Sequence, residues 1–137
     1  MLGELPAWAQ VMLKSERVAR LGLLDDHDLP RVLPVTFAIT GGLIYSAIDQ
    51  KPKSSAEPAR LRYLRRRPEV AFTVDHYEDD WTELAWVQVL GRIELLEAAE
   101  DAMTALTAKY DQYRSEPPPG PLLRLVPERA VYWRASG

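Results

Sequence analysis

The residues best suited to bind a charged ligand lie in segment 45–54. Lys51 and Lys53 are two positions apart, and Ser54 follows directly. An ammonium group is a compact charge with three donors, so two neighbouring lysines can converge on one phosphate. A helix that begins after this loop would add unpaired N–H groups and a partial positive charge. The segment therefore predicts a phosphate site, with a solvated lysine loop as the alternative.

The distribution of charge also points to an anion site in this part of the chain. The formal net charge of −3 argues against general nucleic-acid binding. Residues 51–67 nevertheless contain seven lysines and arginines against one glutamate, whereas residues 75–101 contain nine carboxylates against one arginine. Such a basic segment in an acidic protein is typical of a site for a small anion or of a solvated helix face.

Other common active-site chemistries have little support in the sequence. There is no cysteine, and His27 and His76 are the only histidines, so thiolate chemistry is excluded and no two imidazoles have metal-ligand spacing. Gly-x-Ser-x-Gly, phosphate-binding glycine loops and dinucleotide fingerprints are missing. We therefore expect no metal, and we favour chemistry that a bound cofactor carries out.

Three large flat side chains, Trp81, Trp86 and Trp133, stand out in so short a chain. Packing in the core or between subunits is the simplest role for side chains of this size. The alternative is that one of them flanks a planar cofactor ring.

Length and composition fit a single cytoplasmic domain spanning residues 1–137. The absence of cysteine agrees with a reducing compartment, and residues 1–10 lack the pattern of a signal peptide. No apolar run approaches the roughly 20 residues of a membrane span. We expect a cytoplasmic protein without membrane or nucleic-acid partners.

Apolar periodicity predicts a mainly β fold with flanking helices. Helices are predicted at residues 6–20, 58–67 and 98–113. Strands are predicted at residues 21–24, 31–40, 43–49, 69–77 and 84–96, with a strand pair or one bulged strand at 122–134. Gly91 predicts a bend or bulge. Many antiparallel strands with few helices indicate a small barrel.

An ordered series of segments resembles the pyridoxamine 5'-phosphate oxidase-like proteins. The series comprises residues 19–24, 30–37, 43–49, 51–54, 61–64 and 67–75. Residues 74–81 and 86–92 resemble the F420-dependent branch of that superfamily. The resemblance covers roughly residues 16–134 and rests on the order of the segments, since no single motif is decisive.

This resemblance implies a six-stranded antiparallel split β-barrel and a homodimer with two cofactor sites at its interface. F420 is the implied cofactor, with FMN as the alternative. The second and third strands of such proteins line the cofactor ring, which implies roles for Pro34, Val35, Thr36, Ala47, Ile48 and Asp49. The phosphate would lie against Lys51 and Lys53, with Ser54 nearby. The partner subunit would contribute Trp81 and Trp86.

The implied function is an F420-dependent oxidoreductase that transfers a hydride between the reduced deazaflavin and a small organic substrate. Tyr45, Tyr77 and His76 are candidate proton donors, and none is favoured. The arginine and histidine arrangement of a true pyridoxamine-phosphate oxidase is missing near the C-terminus, where Trp133 and Arg134 are its nearest counterpart. The alternatives are an FMN-binding flavoprotein, a cofactor carrier or sensor without turnover, and a plain β-barrel interaction module.

Overall fold

The structure is a computed structural model that describes residues 1–48 and 58–136. Over these residues the chain forms four α-helices, at the bounds α1 (Ala7–Ser15), α2 (Ala59–Arg66), α3 (Glu100–Lys109) and α4 (Asp111–Ser115). Short 3₁₀ helices cover Leu2–Glu4 and Trp81–Glu83. No helix in these two ranges combines the length and apolar character needed to cross a membrane.

Seven antiparallel strands form one sheet in the described part of the chain. Their bounds are β1 (Ala19–Leu24), β2 (Pro30–Val35), β3 (Ala38–Thr40), β4 (Leu43–Ala47), β5 (Glu69–His76), β6 (Ala85–Leu96) and β7 (Leu122–Arg134). Their order across the sheet is β2-β1-β5-β6-β7-β4-β3. The two edge strands, β2 and β3, are therefore consecutive in sequence.

The short connection between the edge strands closes the sheet into a barrel. Only Thr36 and Phe37 separate Val35, the end of β2, from Ala38, the start of β3. Three Cα–Cα steps reach at most about 11 Å. The two edges must therefore curl towards each other, and residues 36–37 mark the split of the barrel.

The predicted split-barrel fold is confirmed, but residues 31–40 form two strands where the sequence predicts one. The Phe37 N–H donates to the Tyr110 hydroxyl at 3.0 Å, so the chain leaves the strand ladder at this residue. Counting β2 and β3 as one bent strand recovers the expected six.

Residues 98–113 form two helices where the sequence predicts one. Tyr110 has an extended backbone (φ −118°, ψ 116°) between α3 and α4, and its buried ring lies against Tyr113 with centroids 5.5 Å apart. The first predicted helix, residues 6–20, ends at Ser15 because residues 19–24 join the sheet as β1.

The bulge predicted at Gly91 is present where β6 pairs with β7. The register shifts between Leu90 and Gly91, and a Cβ on Gly91 would lie 2.2 Å from the Val126 carbonyl oxygen. Only glycine allows the two backbones to approach this closely. The bulge lets β7 run as one long strand, as in the second of the two arrangements predicted for residues 122–134.

Alternate residues of the strands build the barrel core. Val70, Phe72 and Val74 of β5 are all buried, as the period of two predicts. The rings of Phe72 and Phe37 meet edge to face with centroids 5.0 Å apart. Phe37 is therefore packed inside the barrel at the split, and its neighbour Thr36 lies at the edge of the core.

Candidate cofactor-binding site

A cavity of about 210 Å³ opens at the split of the barrel, where β2 and β4 end. Its lining residues are Val18, Pro34, Val35, Thr36, Ala47 and Arg60. Four of these, Pro34, Val35, Thr36 and Ala47, are among the residues that the family resemblance implies for the cofactor ring. The fold therefore brings together two strand ends that are distant in sequence.

Of the remaining predicted ring and phosphate residues, Ile48 is the one that the structure describes. Ile48 is buried in the core behind Ala47. Asp49, Lys51, Lys53 and Ser54 lie outside the described residues.

Thr36 is fixed at the cavity by hydrogen bonds from two different elements. Its carbonyl oxygen accepts from the Ser46 hydroxyl of β4 at 2.6 Å. Its own hydroxyl lies 2.7 Å from the Tyr113 hydroxyl of α4. Thr36 therefore presents a polar group of fixed position within an otherwise apolar part of the wall.

Arg60 is a cavity residue that reasoning from the sequence misses. It comes from the first turn of α2, and no carboxylate of the described residues lies within ion-pair distance of its guanidinium. Arg60 and Leu64 are four residues apart and share the inward face of α2. Arg65 has the same four-residue spacing from the buried Leu61, so sequence spacing alone does not distinguish Arg60 from the other arginines of this helix.

The other arginines of α2 mostly bind the turn between β1 and β2. Arg62 pairs with Asp26 at 2.9 Å, and Arg66 pairs with Asp28 at the same distance. Arg67 also reaches Asp28, at 3.0 Å. Much of the basic segment that predicts an anion site is thus neutralised within the protein.

The turn that receives these arginines is itself rigid. The buried Asp25 carboxylate accepts from the backbone N–H groups of His27 at 2.9 Å and Leu29 at 3.0 Å, and these hydrogen bonds lower the pKa of Asp25. Asp28 adopts a left-handed backbone (φ 59°), and its hydrogen bond from Arg66 lowers its pKa. The turn and its ion pairs therefore hold α2, and with it Arg60, at the cavity.

The two tryptophans predicted at the site lie away from the cavity of their own chain. The side chain of Trp81 is 67% exposed in the second 3₁₀ helix, and that of Trp86 is 37% exposed on β6. Trp86 is directly opposite Trp133 of β7. Their contribution to a site across a subunit interface stays a prediction.

The three candidate proton donors also lie outside the cavity lining. Tyr45 is buried in β4, and Tyr77 is exposed after β5. His76 lies between two carboxylates, with Nδ1 3.6 Å from Glu16 and Nε2 3.1 Å from Glu78.

The wall of the cavity suits a flat, partly apolar ligand with an anionic tail. Val18, Pro34, Val35 and Ala47 offer apolar surface, while Thr36 offers a hydroxyl and Arg60 a cation. Arginine is well matched to phosphate because its fork of donors fits two oxygens. A volume of 210 Å³ is below the roughly 300–1,000 Å³ of typical ligand sites, so the described residues supply only part of the enclosure that a cofactor needs.

Known structures share this fold. A conserved hypothetical protein from Mycobacterium tuberculosis superposes with a TM-score of 0.77 and 19% identity, over 96% of this chain and 86% of that chain. A FAD-binding protein from Mesorhizobium loti gives 0.70 and 21%, over 93% and 94%. An F420 reductase gives 0.69 and 17%, over 93% and 98%. At such identities the similarity shows the fold alone.

No curated protein matches the chain in sequence. The family model described as pyridoxamine 5'-phosphate oxidase matches residues 7–132. This range contains all seven strands except the last two residues of β7, and all six lining residues of the cavity. The chain therefore belongs to the pyridoxamine 5'-phosphate oxidase family.

Proposed function

We propose that this chain is a subunit of an F420-dependent oxidoreductase that acts on a small organic substrate. The observation that carries the proposal is the convergence of Pro34, Val35, Thr36 and Ala47 with the Arg60 guanidinium at one cavity. Two further points support F420: residues 74–81 and 86–92 resemble the F420-dependent branch, and an F420 reductase has the same fold. A flavin such as FMN is the second candidate, supported by the similarity to a FAD-binding protein.

The bound deazaflavin would supply the hydride chemistry, and the chain would supply binding and orientation. Val35 and Ala47 would contact the flat face of the ring and exclude water from it. The Thr36 hydroxyl would fix the ring in its plane. Arg60 would bind the phosphate together with Lys51 and Lys53, the pair that the sequence predicts for this role.

We further propose that the active form is a homodimer in which a second copy completes each cavity. The outer face of the sheet, defined here by Val32, Ala71, Leu90, Trp86 and Trp133, carries apolar side chains on the side opposite the core. Val32 is 67% exposed and Trp133 is 46% exposed. Pro34, two residues from Val32, belongs to the same face and also lines the cavity. A second copy that covers the outer face would therefore also cover the cavity.

Titration of the purified protein with F420 and with FMN tests this function. Fluorescence of the deazaflavin and of FMN reports each affinity, and we expect F420 to bind more tightly. Protein that purifies yellow, with flavin absorbance bands and no affinity for F420, would instead indicate FMN. A chain that binds neither cofactor would contradict the proposal.

Turnover is tested separately from binding. Oxidation of reduced F420 is followed by absorbance across a panel of enones and quinones, and we expect turnover with at least one of them. Tight binding without turnover across the panel would indicate a carrier or sensor.

A further inference from the structure

A buried ammonium group lies directly behind the wall of the cavity. Lys109 is the last residue of α3, and its Nζ lies 3.6 Å from the centre of the Phe37 ring. Phe37 follows the lining residue Thr36 in the chain, and Arg17, whose charge acts on Lys109, precedes the lining residue Val18. Two separate segments therefore place this ammonium one residue behind the cavity wall.

The ammonium group has no hydrogen-bond acceptor in the part of the chain that the structure describes. Its contacts are the faces of the Phe37 and Tyr110 rings, which replace only part of the hydration of a cation. Burial is the main reason why the pKa of Lys109 falls to about 8, with a further contribution from Arg17 that Glu16 opposes. The two protonation states of Lys109 are thus nearly equal in population close to pH 8, where a nearby negative charge shifts the balance.

Among the described groups that face Nζ, Lys109 alone changes its charge between pH 7 and 9.5. Glu16 and Arg17 lie on the segment between α1 and β1, and Tyr110 lies at the corner between α3 and α4. Carboxylates and guanidinium groups keep their charges in this window. Burial raises the pKa of Tyr110, so its phenol stays neutral.

The cavity is suited to place a negative charge near this lysine. Its one charged lining residue among the described residues is Arg60, a cation. One aromatic ring and one residue separate Nζ from the wall, which corresponds to a distance on the order of 10 Å. A unit negative charge at that distance should favour the ammonium form roughly three- to tenfold, once screening by salt is included.

We propose that Lys109 determines the preference of the cavity for anionic ligands by taking up a proton when such a ligand binds. The bound anion favours the ammonium form, and the ammonium form favours the bound anion to the same extent, because the two effects are one coupling free energy. Lys109 acts from behind the wall and does not contact the ligand. The inference adds a charge requirement to the cofactor site, so it rests on the proposed function.

The affinity at several pH values tests this coupling. The unaltered protein is titrated with F420 and with FMN at pH 7, 8 and 9.5, and the dissociation constant is read for the cofactor that binds. We expect the affinity to weaken roughly three- to tenfold from pH 7 to 9.5, since the ammonium charge is lost across this window. Calorimetry at pH 8.5 in two buffers of different ionisation enthalpy should show uptake of a fraction of a proton for each cofactor bound.

Three variants assign the effect to Lys109. Lys109→Met has no charge to lose, so its affinity should be constant across the window, match that of the unaltered protein at pH 9.5, and show no proton uptake at this site. Lys109→Arg stays charged, so at pH 9.5 it should keep the affinity that the unaltered protein has at pH 7. Lys14→Met, at an exposed site on α1, should keep the pH dependence of the unaltered protein.

A pH dependence that persists in Lys109→Met, or an affinity of the unaltered protein that is constant from pH 7 to 9.5, would overturn this inference and leave the proposed function standing. Binding of neither cofactor by the unaltered chain would overturn both.

Discussion

At the scale of single residues, Lys109 combines a charge with an apolar environment. Its Nζ lies 3.6 Å from the centre of the Phe37 ring and 5.4 Å from that of Tyr110. No hydrogen-bond acceptor among the described residues reaches this buried atom. Burial, together with the positive charge of Arg17, lowers the pKa of Lys109 from 10.5 to about 8, although Glu16 opposes the shift. The contact with the Phe37 ring offsets part of the cost of burying the charge.

The lowered pKa predicts how stability depends on pH. Between pH 8 and 10.5 the unfolded chain keeps a proton on this lysine that the folded chain has lost, so the free energy of unfolding rises across this window. Below pH 8 the buried charge is present, and Lys109→Met should raise the free energy of unfolding at pH 7 by about 1–2 kcal/mol. Urea denaturation at several pH values from 7 to 10.5 measures both effects. The rise across the window should be smaller in the variant, while Lys14→Met, at an exposed site on α1, should match the unaltered protein.

Arg60 gives a second prediction at this scale, because Arg62 on the same helix is a matched control. A hydrogen bond to a charged phosphate contributes about 1.5–3 kcal/mol, so Arg60→Gln should weaken cofactor binding by about tenfold or more. Arg62→Gln breaks one of the three ion pairs between this segment and the turn but removes no cavity side chain, so it should weaken cofactor binding much less than Arg60→Gln does. Equal losses in both variants would show that the helix as a whole, and not Arg60, determines the affinity.

At the scale of elements, the turn between β1 and β2 positions α2. The Asp25 carboxylate accepts hydrogen bonds from two backbone N–H groups of the turn. The other aspartates of the turn form ion pairs with Arg62, Arg66 and Arg67. Asp25→Ala leaves both N–H groups without their acceptor and should lower the unfolding temperature by several degrees. Asp25→Asn keeps one acceptor oxygen and should lower it less.

The pKa of Asp25 adds a pH test for the same turn. The folded pKa lies below the ordinary value of 3.8, so the stabilisation from this carboxylate is complete above that value and is lost as the pH falls through the folded pKa. Thermal unfolding between pH 2 and 7 should therefore show a smaller loss in Asp25→Asn than in the unaltered protein. Parallel curves for the two proteins would contradict the role given to Asp25.

The same elements show which parts of the fold the sequence can predict. Local patterns predict both β5 and the bulge at Gly91. The strand follows from the alternation of apolar residues with a period of two, and the bulge follows from the ability of glycine to allow close backbone contact. The break at Thr36 and Phe37 does not, because it depends on a hydroxyl 73 residues away in sequence. The break between α3 and α4 at Tyr110 depends on the same contact.

The residues that line the cavity can likewise be predicted only in part. The family resemblance names Pro34, Val35, Thr36 and Ala47 because the second and third strands line the ring in that family, and the fold brings those strand ends together. Arg60 is missed because the arginines of α2 look alike until the positions of Asp26 and Asp28 are known. Which of these arginines lines the cavity depends on where the two aspartates lie in the folded chain, and the local sequence does not show this.

At the scale of the whole molecule, the curled sheet separates a packed inner face from an outer face on which Val32, Trp86 and Trp133 lie. Exposed aromatic side chains on a sheet are typical of protein–protein contacts. The outer face also borders the cavity through Pro34. Dimerisation and cofactor binding should therefore be coupled, since each copy would supply a wall for the other's site.

This coupling predicts the outcome of placing a charge on the outer face. Trp133→Glu would bury an unpaired carboxylate in the proposed interface, which is strongly unfavourable. We therefore expect the variant to have the mass of one 15.5 kDa chain and the unaltered protein to have twice that mass. Light scattering after gel filtration measures the mass, and cofactor titration of the same samples should show the affinity falling together with the dimer. Val11→Glu adds the same charge at an exposed apolar site on α1, away from the sheet, and should change neither. A monomeric variant that keeps full affinity would contradict the coupling, because one chain would then bind the cofactor alone.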